Sequence, residues 1–419
     1  MEPTAEEIQT MRLAIEKNLV SAIETRGGEC VAYDEKSGEE YGQRQEKKIG
    51  FDHLFVHQQE VDSTLLHHME LAHPSATIQL IKHNTHAYDP RYGNSSSSYK
   101  DHFREKAKKA ALLHRAAKWK PDPNGNSTDF LPGQMMAQGC GFGCTYCYTE
   151  RHFVNNYPKM YGDVYKVVDM IKDVMDNEAD WRFKMKESTR KDFEKHRDPK
   201  HGNFITFDLG CDSDCTLDNQ LTQHSNFPGH IVDIMNQVSE IPNAMTSFAT
   251  KSAAFDSFLE HTKRPQHHRI RLSLMPEHHR KTLEINTAPI QDRLSAINRL
   301  VDKGFEVHIN LSPIVVTESH EKEYRDLLSE INDTLSKEAK AQMAYEAIYL
   351  THTEKQFPMV SSYAPKAHKM MVEGPCQLVP KPNKPQVLSY TSAEKRRLKS
   401  LFREIVNEIT PYSRVRYCY

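Results

Sequence analysis

Hydrophobic positions change their period several times along this chain, and each change predicts an element. Within residues 5–24, Met11, Ile15, Leu19 and Ile23 recur four apart, which predicts an amphipathic helix. FDHLFVH (51–57) alternates and predicts a strand. LLHHMELAHP follows as a short helix, and TIQLIKH (77–83) as a second strand. Residues 84–100, with NSSSS, read as a polar loop. DHFREKAKKAALLHRAAKWK carries Arg104, Lys106, Lys108, Lys109, Arg115, Lys118 and Lys120 against Glu105, a strongly basic stretch. KPDPNGNST (120–128) is turn-rich and reads as a linker, with the main domain starting just after it.

Beyond the linker, strand and helix patterns alternate. DVYKVVDMIKDVM (163–175) predicts a helix with Val164, Val167, Ile171 and Val174 on one face. FITFDLG (204–210), AMTSFATK (244–251), RIRLSLM (269–275), FEVHINLSPIVV (305–316) and AYEAIYLTH (344–352) predict strands. HIVDIMNQVSEI (230–241), IQDRLSAINRLVDKG (290–304, closed by Gly304) and EYRDLLSEINDTL (323–335) predict the helices between them. Repeated βα units give an α/β fold with a parallel sheet, a full or partial TIM-like barrel. Its chemistry belongs at the carboxyl ends of the strands. MKESTRKDFEKHRDPKH (185–201) reads as a solvated excursion. PKPNKPQ (380–386) reads as a loop, and the capping box Thr391…Glu394 opens a last helix running to about Ile409. Three regions are expected: an α/β extension over 1–125, the barrel over 126–360, and a loop and helix over 361–419.

Charge removes some function classes. Lys+Arg is 55 against Asp+Glu 57 in 419 residues, so the total does not indicate a strongly basic nucleic-acid binder. A local basic patch stays compatible with that balance. Mean hydropathy is −0.71, and no long apolar run suits a membrane span. The start, MEPTAEEIQTM, is acidic and polar, unlike a secretory signal. A cytoplasmic protein with reduced thiols is the expectation.

The chemistry concentrates in GCGFGCTYCYTERH (139–152). Cys140, Cys144 and Cys147 form C-x3-C-x2-C with no second pair nearby. Structural zinc usually takes four ligands in two pairs, so zinc fits less well. Cys211 and Cys215 are spaced C-x3-C, but they follow a different predicted strand. A [4Fe–4S] cubane is the better match: three thiolates hold three corners, and one iron stays open to a non-protein ligand. Gly139, Gly141 and Gly143 give the backbone freedom to curl around it.

That loop resembles those of the radical S-adenosylmethionine (SAM) enzymes, and further motifs resemble the spore photoproduct lyase family. CTYCY (144–148) is similar to that family's C-x-Y-C-Y, FDLGCDSD (207–214) to its F-x-x-x-C-x-S-D, and FATK (248–251) to its F-V-T-K. The block from Arg269 to Val315 is similar to its strand–helix–strand segment. The resemblance implies a lyase that reverses a thymine photolesion in DNA by way of a 5′-deoxyadenosyl radical. It implies a [4Fe–4S] cluster on Cys140, Cys144 and Cys147, and SAM contacts from Ser213, Lys251, Ser273 and Ser312. It implies Cys211 as hydrogen donor, with Tyr146 and Tyr148 near the cofactor and in the radical-return path. Glu284 and Arg293 fall in the matched block as supporting residues or a structural pair. Read without the resemblance, each of these is ordinary: a packed strand-end Cys, core tyrosines, a solvated Lys, serines bonded to backbone. Cys215 relays or packs. Damaged DNA and an electron donor such as flavodoxin or ferredoxin are the implied partners.

One family feature is altered. The lyases carry a C-terminal β-hairpin rich in Arg, Lys, Tyr and Gly that wedges into damaged DNA. Here the region reads KMMVEGPCQLVPKPNKPQVLSY (369–390), with Lys369, Lys381 and Lys384 but no aromatic–Arg wedge. Its prolines argue against a regular hairpin. Backbone contacts to nucleic acid would then fall to the 103–120 stretch and to Lys395, Arg396, Arg397, Lys399 and Arg403. Two alternatives follow: the same radical chemistry on a nucleotide, RNA or peptide, or a non-catalytic iron–sulfur or zinc protein that binds nucleic acid.

Overall fold

The chain divides into two units, Met1–Lys48 and Ile49–Tyr419. The computed structural model describes residues 22–26, 29–33, 40–41, 51–84, 109–115, 130–132, 137–147, 157–196, 204–210, 212–284, 286–350, 352–353, 360–361, 364–374, 377–381 and 384–418. In the first unit, β1 (Ala22–Arg26), β2 (Glu29–Tyr33) and β3 (Glu40–Tyr41) form an antiparallel sheet. The helix expected over 5–24 therefore gives way to strand from Ala22; its earlier part lies outside the described residues.

In the second unit, β4 (His53–His57), β5 (Thr77–Ile81) and β6 (Lys109–Leu113) join β8 (Ala137–Gln138) and β9 (Lys159–Tyr161) in one sheet, ordered β5-β4-β6-β9-β8. Helix α1 (Thr64–Ala72) links β4 to β5, and Ser63 Oγ caps it by accepting from the Leu66 N–H at 3.2 Å. The basic stretch contains β6. Its Ala110, Ala111, Leu112 and Leu113 are all buried between β4 and β9. A strand covered on both faces needs a continuous apolar run, and that tertiary demand overrides the helix preference of alanine. Arg115 is not a solvated cation either: its guanidinium stacks over the Tyr161 ring at 4.0 Å.

The main sheet is parallel throughout and has seven strands. They are β7 (Phe130–Pro132), β10 (Ile205–Asp208), β11 (Ala244–Thr250), β12 (His268–Ser273), β13 (Glu306–Ile314), β14 (Ala344–Tyr349) and β18 (Arg414–Cys418), adjacent in that order. The sheet curls into the expected partial barrel. The last strand, RVRYC, was not anticipated: it is short and carries two arginines, and only the free edge of β14 makes it a strand.

Helices lie between successive strands. They are α2 (Lys166–Asp176), α3 (Glu178–Phe183) and α4 (Glu187–His196) before β10, then α5 (Cys215–Gln220) and α6 (His230–Val238) before β11. Next come α7 (Asp256–His261), α8 (Glu277–Leu283), α9 (Ile290–Lys303), α10 (His320–Thr334) and α11 (Lys337–Gln342). Val164, Val167, Ile171 and Val174 are buried as their spacing predicts. Gly304 ends α9 at φ 103°, a left-handed cap that glycine takes without Cβ strain. After β14 come α12 (Pro365–Val372) and α13 (Ser392–Ile409), the latter capped by Thr391 Oγ1 from the Glu394 N–H at 3.1 Å.

The 369–390 region corrects the reading drawn from its prolines. β16 (Gln377–Lys381) and β17 (Lys384–Ser389) pair antiparallel as a hairpin, and β15 (His352–Thr353) adds to β17. The register shifts between Val379 and Lys381, so Pro380 sits at an irregularity where no ladder donor is needed.

Alternation divides the two faces of the main sheet. Phe207, Phe248, Ile270, Leu272, Val307 and Ile309 join the core with Leu294, Ile297 and Leu300 of α9 and Leu328 and Ile331 of α10. The other face is polar. Arg271 meets Asp208 at 2.6 Å and Glu346 at 3.6 Å, Arg269 meets Glu306 at 3.0 Å, and His308 meets Glu306 at 2.7 Å. Arg416 also pairs with Glu346, whose second oxygen accepts from the Tyr417 hydroxyl at 2.7 Å. Burial alone would raise Glu346, but Arg416, His308 and Arg271 outweigh it and hold the carboxylate ionised. Buried charges are tolerable only when paired in this way.

Candidate active site

The three-cysteine loop closes over the carboxyl end of this sheet. Gly139 and Gly143 take positive φ of 81° and 64°, which lets the loop reverse twice. It is anchored at both flanks. The Gly139 N–H donates to the Asp212 carbonyl at 3.0 Å, just past β10. The Thr145 N–H and hydroxyl both donate to the Leu283 carbonyl at the end of α8, at 2.9 and 3.3 Å. Phe142, Cys144 and Leu217 form a small apolar cluster against which Cys140, Tyr146 and Cys147 pack.

Donor chemistry tests which group the loop fits. Structural zinc is usually closed by four protein ligands. Three loop thiolates without a fourth leave that set incomplete, and an all-thiol donor set suits iron and sulfide. Burial pushes the Cys140 and Cys144 thiols well up, with Asp214 reinforcing it at Cys140 and Glu284 at Cys144. Deprotonation there accompanies metal binding rather than preceding it.

Beneath the loop lies a knot of four side chains. Glu284 is 1 % exposed and pairs with the fully buried Arg293 at 2.8 Å. Its other oxygen accepts from the Tyr146 hydroxyl and stands 4.0 Å from Lys251 Nζ. Arg293 also donates to the Ser273 carbonyl at 2.6 Å and the Ala288 carbonyl at 2.9 Å. Burial alone would raise Glu284, but Arg293 and Lys251 more than offset it. Burial alone would lower Lys251, but Glu284 and the Cys144 group push it up. Glu284 and Arg293 are thus a buried pair that holds Tyr146 and Lys251 beside the cysteines.

The expected cofactor residues gather at the same end. Ser213 follows β10, Lys251 follows β11, Ser273 ends β12 and Ser312 lies near the end of β13. Ser213 Oγ donates to Asp218 at 2.6 Å. Ser273 is 2 % exposed, and its hydroxyl has no hydrogen-bond partner among the described residues. Ser312 is half-buried, where the pairing of β13 with β14 becomes irregular. Cys211 and Tyr148 lie outside the described residues. Cys215 is fully buried and packs in the main core.

Two residues escaped sequence reading. Asp214 caps α5 and accepts from the Thr216 N–H at 3.1 Å, from Thr250 Oγ1 at 2.9 Å and from the Lys251 N–H at 3.3 Å, tying β10 to β11. Asp218 is 1 % exposed, and burial pushes its carboxyl well up. The N-cap position of Asp214 was a legible signal; the partner of Ser213 was not, because it depends on the turn of α5.

A parallel half-barrel with a three-thiol loop over its carboxyl edge is the architecture of the radical SAM enzymes. The family model described as spore photoproduct lyase matches residues 133–419. The chain belongs to the spore photoproduct lyase family. The spore photoproduct lyase of Bacillus subtilis (strain 168) is 22% identical over 232 residues, which are 55% of this chain and 59% of that protein. The match thus spans under two thirds of that relative. Two solved structures share the fold at TM-score 0.70 and 16% identity, covering 89% of this chain and 100% of theirs. One is a spore photoproduct lyase complexed with dinucleoside spore photoproduct; the other is a mutant with bound AdoMet and the same dinucleoside.

Proposed function

We propose that this protein is a radical SAM lyase that reverses a thymine photolesion of the spore photoproduct type in DNA. The observation that carries the reading is the anchored loop of Cys140, Cys144 and Cys147 over the carboxyl ends of β10–β13, in a chain matched by the family from 133 to 419. The three cysteines would hold three irons of a [4Fe–4S] cluster. When bound, the cluster and SAM together supply a 5′-deoxyadenosyl radical able to take hydrogen from a substrate carbon.

This chain's own residues bind, orient and shield. Lys251 presents an ammonium to the SAM carboxylate, a charge-assisted contact. The orphaned Ser273 hydroxyl gains a partner on binding. Ser213 is oriented by Asp218, and Ser312 adds its backbone. Glu284 fixes the Tyr146 hydroxyl, so that ring is positioned rather than free to turn. Cys211 returns hydrogen to the product radical, since an S–H bond is weaker than a C–H bond, and Tyr148 lies on that path. A flavodoxin- or ferredoxin-type donor supplies the electron, in the reducing cytoplasm.

Damaged DNA would meet the hairpin of β16 and β17, where Lys381 opposes Lys384. No helix is long and apolar enough to cross a membrane among the described residues. The hairpin sequence QLVPK…KPQVLS has neither Arg nor an aromatic. That favours a second reading, the same chemistry on a nucleotide, RNA or peptide, over the wedge of its relatives.

The test is anaerobic reconstitution followed by reduction with SAM and dinucleoside spore photoproduct. Release of 5′-deoxyadenosine and of thymine dinucleoside is expected. Cofactor cleavage without lesion turnover would transfer the assignment to the second reading. Absence of both would refute the enzyme.

A further inference from the structure

A second cluster of metal-type ligands lies at the opposite end of α8 from Glu284. His278 and His279 open that helix, and Glu323 sits in the first turn of α10. One ligand atom from each lies within 4.8 Å of the other two. The carboxylate turns one oxygen to each ring: Oε1 is 3.0 Å from His278 Nε2, and Oε2 is 3.2 Å from His279 Nε2. Those gaps approach the roughly 3.4 Å edge of a tetrahedron whose bonds are about 2.1 Å, the length of zinc–imidazole and zinc–carboxylate bonds.

Two further observations point to a ligand. His279 is fully buried; its Nε2 faces only the Glu323 carboxylate, at 3.2 Å, and its Nδ1 has no hydrogen-bond partner among the described residues. A cation at Nε2 would take the ring's lone pair and fix the proton on Nδ1, the tautomer a metal-bound imidazole needs. Glu323, meanwhile, is held from behind: Thr317 Oγ1 donates to Oε2 at 2.6 Å and Ser319 Oγ to Oε1 at 2.7 Å. Hydrogen bonds of this kind orient carboxylate ligands in metal sites. His278 is 55% exposed, which leaves an entry path and a fourth position for water.

We propose that His278, His279 and Glu323 form a site for one zinc-class divalent cation, separate from the cysteine loop, that pins the start of α8 to α10. The donor set of two imidazoles and one carboxylate suits zinc and its first-row neighbours; calcium and magnesium prefer all-oxygen shells. Through α8 the cation steadies Leu283, whose carbonyl anchors Thr145 of the cysteine loop. The site depends on this chain's own ligands and stands whether or not the lesion chemistry is as proposed.

The test uses full-length protein with its cysteine loop already loaded with iron and sulfide, so that the thiols cannot capture added zinc. Zinc is added, the protein is desalted, and metal content and the zinc X-ray absorption edge are measured. One zinc per chain with a first shell of nitrogen and oxygen only is expected. His278→Ala, at an exposed position that leaves the core intact, and Glu323→Gln should abolish retention. Thr317→Ala should weaken affinity by about 10–100-fold. No zinc uptake, sulfur in the zinc shell, or undiminished uptake by His278→Ala and Glu323→Gln would each overturn the proposal.

Discussion

Replacing Arg293 by Met tests whether the buried knot is what holds the cysteine loop in place. The guanidinium bonds Glu284 at 2.8 Å and the carbonyls of Ser273 and Ala288 at 2.6 and 2.9 Å. At an effective dielectric of about 20, a charge pair at that separation attracts by roughly 6 kcal/mol before desolvation. Lys251, at 4.0 Å from the same carboxylate, offers about 4 kcal/mol by the same measure and softens the loss. The net cost is expected at the lower end of the range for breaking one side of a buried pair, about 3 kcal/mol. Glu284→Gln removes the charge that Arg293→Met strands. The double variant should therefore be less destabilised than the sum of the singles by about 2 kcal/mol. Urea unfolding of cluster-free protein under reducing conditions, followed by circular dichroism, reads all four corners of the cycle. Iron retained after reconstitution should fall in Arg293→Met, because Leu283, beside Glu284, holds Thr145. A cost under about 1 kcal/mol, or additivity within about 0.5 kcal/mol, would refute the account.

Three further outcomes follow from the same geometry. Cys144→Ala should abolish the cluster's optical absorption after anaerobic reconstitution, while circular dichroism of the fold stays unchanged; a full complement of iron would contradict the ligand assignment. Ser273→Ala should leave stability within about 0.5 kcal/mol, since its hydroxyl has no partner to lose, yet weaken SAM binding about 5–10-fold by calorimetry; unchanged affinity would remove its role. Acid should unfold the protein early, because burial pushes both His230 and His268 down to about 3. Their folded values lie below the unfolded 6.5, so their contribution is complete above pH 6.5 and is lost as pH falls toward 3. By pH 5 each costs about 2 kcal/mol, and His268→Gln should flatten that slope between pH 7 and 5 in thermal melts.

The barrel was legible because its signal is local and repeated. Alternating RIRLS and the i, i+4 faces of 163–175 and 290–304 place themselves on strands and helices with no knowledge of their partners. The cysteine spacing was equally self-contained: three thiols within eight positions, with glycines between them, can be read without knowing where the chain puts them. Residues 109–113 and 414–418 were missed because what makes them strands is another strand: β4 and β9 flank the first, and the open edge of β14 receives the second. The hairpin of β16 and β17 tolerates prolines only because its register shifts at Pro380.

What the amino-acid order determined by itself was the kind of chemistry, a soft three-thiol loop in an α/β chain. Tertiary structure decided everything that depends on pairs far apart in sequence. It set Glu284 against Tyr146, Arg293 and Lys251, placed Asp218 under Ser213, and brought two adjacent histidines to Glu323 across 44 positions of chain. Such pairings arise when parallel strands align their carboxyl ends, and no local period in the sequence records which ends will meet.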